Sequence, residues 1–162
     1  LLPEAHFVHL IRDVRDVALS LRTLWFSPGS DMQTQAESWA TYVTSARRTG
    51  AKCKRYIEVH YERLILDTEN VLKNICEFLN LPYHPCMLDY HLYARARLDE
   101  HQGRRFSDGT LLTKEQRLQQ QSRAMTAPQP GLISRWKAEM TEEEKRSFMR
   151  SAGHLLEELG YS

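Results

Sequence analysis

The chain's first legible pattern is an apolar run, AHFVHLI at 5–11, bounded by Pro3 and by Arg12-Asp13. A short apolar run without strict alternation predicts a strand covered on both faces, as in a parallel sheet. The period then changes. In RDVALSLRTLW, Val17, Leu21 and Leu24 fall on one helical face with Asp13 placed as N-cap, and FSPGS at 26–30 breaks the pattern. From Asp31 to Arg48, Met32, Ala36, Trp39, Tyr42, Val43 and Ala46 recur at helical spacing, and Gly50 stands where a C-cap glycine belongs. RYIEVHY at 55–61 alternates β-favouring Tyr56, Ile57, Val59 and Tyr61 with Glu58 and His60. The order strand, helix, helix, strand is the crossover order of an α/β fold.

Asp67 is placed to cap a helix carrying Val71, Leu72, Ile75, Cys76, Phe78 and Leu79, which stops before Pro82. PCMLDYHLYARA at 85–96 reads as another helix. Between about 99 and 130 the composition shifts to Gln, Arg, Gly and Ser and apolar periodicity fades, which predicts a mobile loop with one short helix near 114–123. The last element is the best marked: Thr141 and Glu144 form a capping box, Phe148, Ala152, Leu155, Leu156 and Leu159 make an apolar face, and Gly160 ends it. No internal repeat is evident.

At 162 residues with 41% hydrophobic and 27% charged residues, the chain has the composition of one globular domain. A net charge of +1 excludes a general electrostatic footprint for nucleic acid, so anion binding must come from local placement. Cys53, Cys76 and Cys86 are odd in number and lack metal-site spacing, which fits a reducing compartment better than a disulfide framework. No run reaches the ~18 apolar residues of a membrane span. The sequence opens at Leu1 without methionine and enters a strand almost at once, so the expected N-terminal part lies upstream.

Candidate chemistry sits where the first strand empties into Arg12-Asp13-Val14-Arg15-Asp16. Amides at the start of the following helix and its dipole favour an anion there. Arg12 offers a planar fork for phosphate oxygens and Ser20, eight residues on, a hydroxyl donor. The same spacing is met by an ordinary capped helix whose four charged residues form solvated pairs. His6, His9 and His60 alternate with apolar residues on strands and read as packed or edge residues, and no histidine pair has metal spacing.

HLIRDVRDVALSL resembles the 3′-phosphate segment, typically RDPRDxxxS, of the sulfotransferases that use 3′-phosphoadenosine 5′-phosphosulfate (PAPS). Val14 replaces the usual proline, and Arg12 and Ser20 keep the spacing. YIEVHYERLILDTENVLKNICEFLNLPY is similar to that family's strand ending VRYEDL and helix ending FLGL; Tyr61 and Glu62 match, while Arg63, Thr68 and Asn80 stand for Asp, Pro and Gly. PGLISRWKAEMTEEEKRSFMRSAGHLLEELGY resembles its closing segment, a glycine-containing loop, a WK pair and a helix ending LGY. Gly131 is kept, Ser134 replaces a second glycine, and Arg135 precedes the tryptophan as in bacterial-type members. The animal cytosolic RKGxxGxWK would need Arg and Lys at Gln129 and Pro130.

The resemblance implies an α/β fold with a parallel sheet and flanking helices, related to the P-loop nucleotide kinases, of which this chain is the C-terminal portion of a single domain. It implies a sulfotransferase moving a sulfuryl group from PAPS to an acceptor hydroxyl or amine, without metal. Arg12 and Ser20 would bind the 3′-phosphate, Tyr61 would border the adenine, Gly131 would belong to the phosphate loop, and Arg135 would reach the phosphate or brace that loop. The alternative for Tyr61 is a packed strand-end residue. The 5′-phosphosulfate loop and the catalytic base would precede Leu1, leaving no catalytic residue in this chain. The 99–130 stretch would be a lid. The expected setting is the cytoplasm, or the Golgi lumen if an upstream anchor exists; the acceptor and oligomeric state are unassigned. A dimer through KxxxTVxxxE is not expected, since Lys137 and Thr141 match but Glu142 and Arg146 do not. Other readings are a nucleotide-kinase-like phosphotransferase and a non-catalytic α/β interaction domain.

Overall fold

A computed structural model describes residues 4–22, 31–100 and 102–161. Pro3, Leu24 and the FSPGS break lie outside the described residues. The chain divides into two compact units, one formed by 1–67 with 130–162 and the other by 68–129.

The first unit is a mixed α/β structure around a small parallel sheet. Strand β1 (Phe7–Ile11) leads through α1 (Val14–Leu21) and α2 (Met32–Gly50) to β2 (Tyr56–His60), followed directly by α3 (Tyr61–Leu66). The two strands pair in parallel from Phe7 opposite Tyr56 to Ile11 opposite His60. The order read from the sequence is therefore present, with Tyr61 starting a helix rather than ending the strand. From 130 the chain returns through a 3₁₀ turn (Pro130–Leu132), α7 (Trp136–Glu139) and α8 (Glu142–Glu158).

Helix α8 packs along α2. Phe148, Ala152 and Leu156 from α8 join Val14, Ala18 and Leu19 from α1, Ala36 from α2, and Trp136 and Met140 in one buried cluster. Ile11, Val43 and Leu159 form a second cluster beneath the strand ends. The capping box is formed: Thr141 Oγ1 accepts from Glu144 N at 3.2 Å, and Glu144 Oε2 accepts from Thr141 N at 2.9 Å. Gly160, at φ +77, closes α8 with the paired bonds of a Schellman motif, Tyr161 N to Leu156 O and Gly160 N to Glu157 O.

Two expectations are corrected here. A strand covered on both faces would hide Phe7, Val8 and Leu10, yet these are 43, 39 and 51% exposed and only Ile11 is sealed, at 1%. The described sheet has just two strands, so one strand's length of apolar side chains finds cover only at its end. Gly50 is not a left-handed C-cap but the last residue of α2, followed by a helical Ala51. It must be glycine because any Cβ would overlap the ring of Tyr56.

The second unit contains α4 (Thr68–Leu79), a 3₁₀ turn (Pro85–Asp89) running into α5 (Tyr90–Asp99), strands β3 (Arg104–Arg105) and β4 (Leu111–Leu112), and α6 (Lys114–Gln120) with a 3₁₀ turn (Ser122–Met125). Asn80, at φ +54, ends α4 with the same pair of bonds that Gly160 makes for α8, to Glu77 O and Cys76 O. The short helix expected near 114–123 is present with a Thr113–Gln116 capping box. The antiparallel β3–β4 hairpin was not expected, because strands of two residues carry no measurable period. No described helix is long and apolar enough to cross a membrane.

Leu156→Ala should cost about 2–5 kcal/mol of unfolding free energy, since Leu156 is fully buried between α1, α2 and α8. Met149→Ala, one position around from that face and 43% exposed, should change stability by less than about 0.5 kcal/mol. Urea unfolding of both variants checks the orientation of α8.

Candidate functional site

Because β1 and β2 are parallel and end in register at Ile11 and His60, the residues that follow must leave the same sheet edge side by side. Arg12 and Tyr61 do so with the guanidinium 4.4 Å from the ring centroid, a cation–π distance. One residue further, Asp13 N donates to Glu62 Oε1 at 3.0 Å. Tyr161 closes the edge from the far end of the chain. Its hydroxyl lies 3.0 Å from Glu62 Oε2, 3.3 Å from Ile11 O and 3.1 Å from His60 Nδ1. With one phenolic proton given to Glu62, the His60 bond requires its proton on Nδ1. Burial, reinforced by Glu62, pushes the Tyr161 phenol well above the ordinary tyrosine range.

The charged run after β1 is not solvated. Asp13, Arg15 and Asp16 are 5, 4 and 0% exposed, which overturns the alternative reading of solvated pairs for these three. Asp13 caps α1 by accepting from Arg15 N at 2.9 Å, and takes the Arg15 guanidinium in a fork, Nε to Oδ1 at 2.9 Å and Nη2 to Oδ2 at 2.8 Å. That guanidinium lies over the Trp136 indole, its central carbon 3.6 Å from the ring centre, and also reaches the Tyr161 carbonyl at 3.3 Å. Asp16 accepts from two amides of the returning chain, Ser134 N at 2.7 Å and Trp136 N at 3.1 Å. Burial pushes its carboxyl above the ordinary range against the pull of those two bonds. Ser134 is held at φ +58, the left-handed region, at the position where the resembling sequences carry glycine.

Of the residues singled out by sequence, Arg12, Tyr61 and the 131–135 loop come together. Arg12 Nη2 donates to Leu132 O at 3.2 Å, and its Nε has no hydrogen-bond partner among the described residues. Gly131 sits in the 3₁₀ turn with nothing within 4 Å of where a Cβ would be. Arg135 is mostly buried, its Nε 3.7 Å from Glu139 Oε1 and without a hydrogen bond. Ser20 stands apart, two turns along α1, with its hydroxyl donating to Asp16 O at 3.0 Å. His9 and His60 are strand residues bonded to Tyr56 OH and Tyr161 OH, as packed histidines. An open cleft of about 570 Å³ at the strand ends is lined by Asp13, His60, Glu62, Ser134, Lys137 and Tyr161 among others, the residues that tie the segments together, and not by Arg12 or Tyr61.

The model of the sulfotransferase family matches residues 1–85, just over half of the chain. The chain belongs to the sulfotransferase family. A search of curated proteins finds no match. The family match takes in the Arg12–Ser20 and Tyr61–Glu62 segments but stops before the closing one. What links the closing segment to the matched segments is therefore geometry: Asp16 to Ser134 and Trp136, Arg12 to Leu132, and Tyr161 to Glu62.

Sequence reading assigned no role to Asp16, Glu62 or Tyr161. Glu62 could have been found, because in-register parallel strands place the second residue after each strand together. Asp16 could not, since its partners lie 118 and 120 positions away with no local pattern.

The phenol network has a pH signature. Tyr56 is pushed up to about 12 by burial and by its bond to Glu58, and Tyr161 is raised as well. A folded value above the unfolded value of about 10 means that the contribution is complete below about pH 10 and lost as pH rises. For Tyr56 the window runs from pH 10 to about 12. The tyrosinate signals of Tyr56 and Tyr161 should therefore lag until the fold gives way, and Tyr161→Phe should remove one lagging signal. Ordinary titration of Tyr56 and Tyr161 in the folded protein would contradict the network.

Proposed function

We propose that this chain is a PAPS-dependent sulfotransferase of the bacterial type, with a fold related to the P-loop nucleotide kinases, and that it carries the 3′-phosphate and adenine side of the cofactor site. The observation that carries the reading is the shared exit of Arg12 and Tyr61 from two parallel strands in register, against the turn that holds Gly131. Ligands of open α/β sheets bind beyond the carboxyl ends of the strands, which is where these residues stand.

The donor set suits a phosphate. Arg12 has five N–H groups and uses one on Leu132 O, which leaves Nη donors for an anion, while its Nε is buried without a partner among the described residues. Its planar fork matches phosphate oxygens. Gly131 leaves backbone open to close approach, and Arg135, paired through its Nε with Glu139 at 3.7 Å, adds a second guanidinium to the same loop. Ser20 has a single hydroxyl proton, so donating to a phosphate requires giving up Asp16 O, a switch that a charged acceptor favours over a neutral one. Tyr61 has one face occupied by Arg12 and would meet the adenine through its edge or its hydroxyl. PAPS, when bound, supplies the sulfuryl group that passes to an acceptor hydroxyl or amine. These residues would orient the donor by the phosphate that distinguishes it from ATP.

Calorimetric titration of the full-length protein with 3′-phosphoadenosine 5′-phosphate and with adenosine 5′-phosphate tests this. The 3′-phosphorylated nucleotide should bind more tightly. Arg12→Ala should weaken it by about 1.5–3 kcal/mol, the range for a hydrogen bond to a charged group. Arg12→Lys should recover only part of that loss, since an ammonium lacks the fork. Equal affinity of wild type and Arg12→Ala would overturn the assignment.

A further inference from the structure

Asp16 is the most deeply buried charged group among the described residues, and it belongs to the same short segment as Arg12. It cannot touch a ligand, being fully covered by protein. Its two oxygens are bound to the amides of Ser134 and Trp136, and two positions before Ser134 the carbonyl of Leu132 takes the Arg12 guanidinium. The route from Asp16 back to Arg12 thus runs across the closing loop, through two hydrogen bonds at one end and one at the other.

The loop between them is not in a conformation that its residues favour. Ser134 stands at φ +58, where a side-chain-bearing residue is strained, and such conformations persist when their surroundings hold them. Both amides are tied to one carboxylate, and the chain between them cannot relax without leaving buried N–H groups unpaired. Trp136 is additionally pinned by the Arg15 guanidinium on its ring, which fixes the downstream end of the loop, and at the upstream end Ile133 N donates to Pro130 O at 3.0 Å.

We propose that Asp16 is a positioning residue for recognition of the 3′-phosphate: by holding the amides of Ser134 and Trp136 it sets the closing loop, and through the Leu132 carbonyl it aims Arg12. This rests on the reading that the 3′-phosphate binds at Arg12. Ser20 lies outside this device, because its hydroxyl donates to the backbone carbonyl of Asp16, which any residue at that position would supply.

The test compares affinity of the full-length protein for 3′-phosphoadenosine 5′-phosphate with that for adenosine 5′-phosphate, in wild type and in Asp16→Asn. The asparagine keeps one acceptor but turns an NH₂ toward the second amide. The preference for the 3′-phosphorylated nucleotide should fall by at least about tenfold, the scale of one lost hydrogen bond, while affinity for adenosine 5′-phosphate stays within about twofold. Lower global stability alone reduces the folded fraction and leaves this ratio intact. A folded Asp16→Asn protein with an unchanged ratio overturns the proposal and leaves the Arg12 assignment standing. A wild type without any preference overturns the Arg12 assignment, and this proposal with it. Should Asp16→Asn not fold, amide exchange in the wild type decides: 3′-phosphoadenosine 5′-phosphate should slow exchange at 131–136 and adenosine 5′-phosphate should not, and equal effects overturn the coupling.

Discussion

The pairing of β1 with β2 in parallel and in register is the constraint on which the rest depends. Two parallel strands ending at the same level deliver consecutive residues as consecutive neighbours, Arg12 beside Tyr61 and then Asp13 beside Glu62. A slip of one residue would reverse every side chain on one strand and separate both pairs. The register is held by Ile11, the one fully sealed β1 residue, which packs with Val43 and Leu159, and by Tyr161, whose hydroxyl lies within reach of Ile11 O and Glu62 together. The chain's last described residue thus secures the exit of its first strand.

Glu62 makes a second effect possible. In an ordinary capping box the third helical residue reaches back to the N-cap amide. Asp16 is the third residue of α1, and Asp13 is its cap, but the Asp13 amide is already taken by Glu62. Asp16 is thereby released to reach outward, to Ser134 and Trp136. Burying the neighbouring Arg15–Asp13 pair costs desolvation that Coulomb attraction alone need not offset. Here the fork geometry, the N-cap bond, the indole face of Trp136 and the Tyr161 carbonyl together leave little of either charge unsatisfied. The four charged residues between positions 12 and 16 divide into one that is partly exposed, Arg12, and three that are buried around it.

Much of the fold was legible because periodicity reports local geometry. Both strands, the helices between them, the Thr141–Glu144 box and the Gly160 stop follow from residue type and spacing. What spacing could not report was cover. Phe7, Val8 and Leu10 have the apolar character of a sheathed strand yet stand exposed, while Asp13, Arg15 and Asp16 have the character of a surface turn yet are sealed. Burial is decided by what arrives from elsewhere in the chain, and α7 and α8 arrive more than a hundred residues later. Gly50 is the same lesson at one atom: its position suggested a backbone reason, and the reason is the ring of Tyr56. For the site, resemblance supplied Arg12, Ser20 and Tyr61 individually, and only the strand register explains why two of them meet.

Asn80 and Ser134 mark how the chain departs from the sequences it resembles, since each stands where those carry glycine and each is left-handed, at φ +54 and +58. The two solutions differ physically. Asn80 ends α4 on the surface, and asparagine tolerates that region at small cost while the paired bonds to Glu77 and Cys76 satisfy the helix end. Serine has a weaker claim to the left-handed region, and Ser134 is instead held from outside, by a carboxylate sealed from water that also binds Trp136. Losing a glycine at a helix terminus is thus compensated locally, by the residue's own chemistry. Losing one in the closing loop is compensated through tertiary structure, and this makes the loop's shape depend on the segment that carries Arg12.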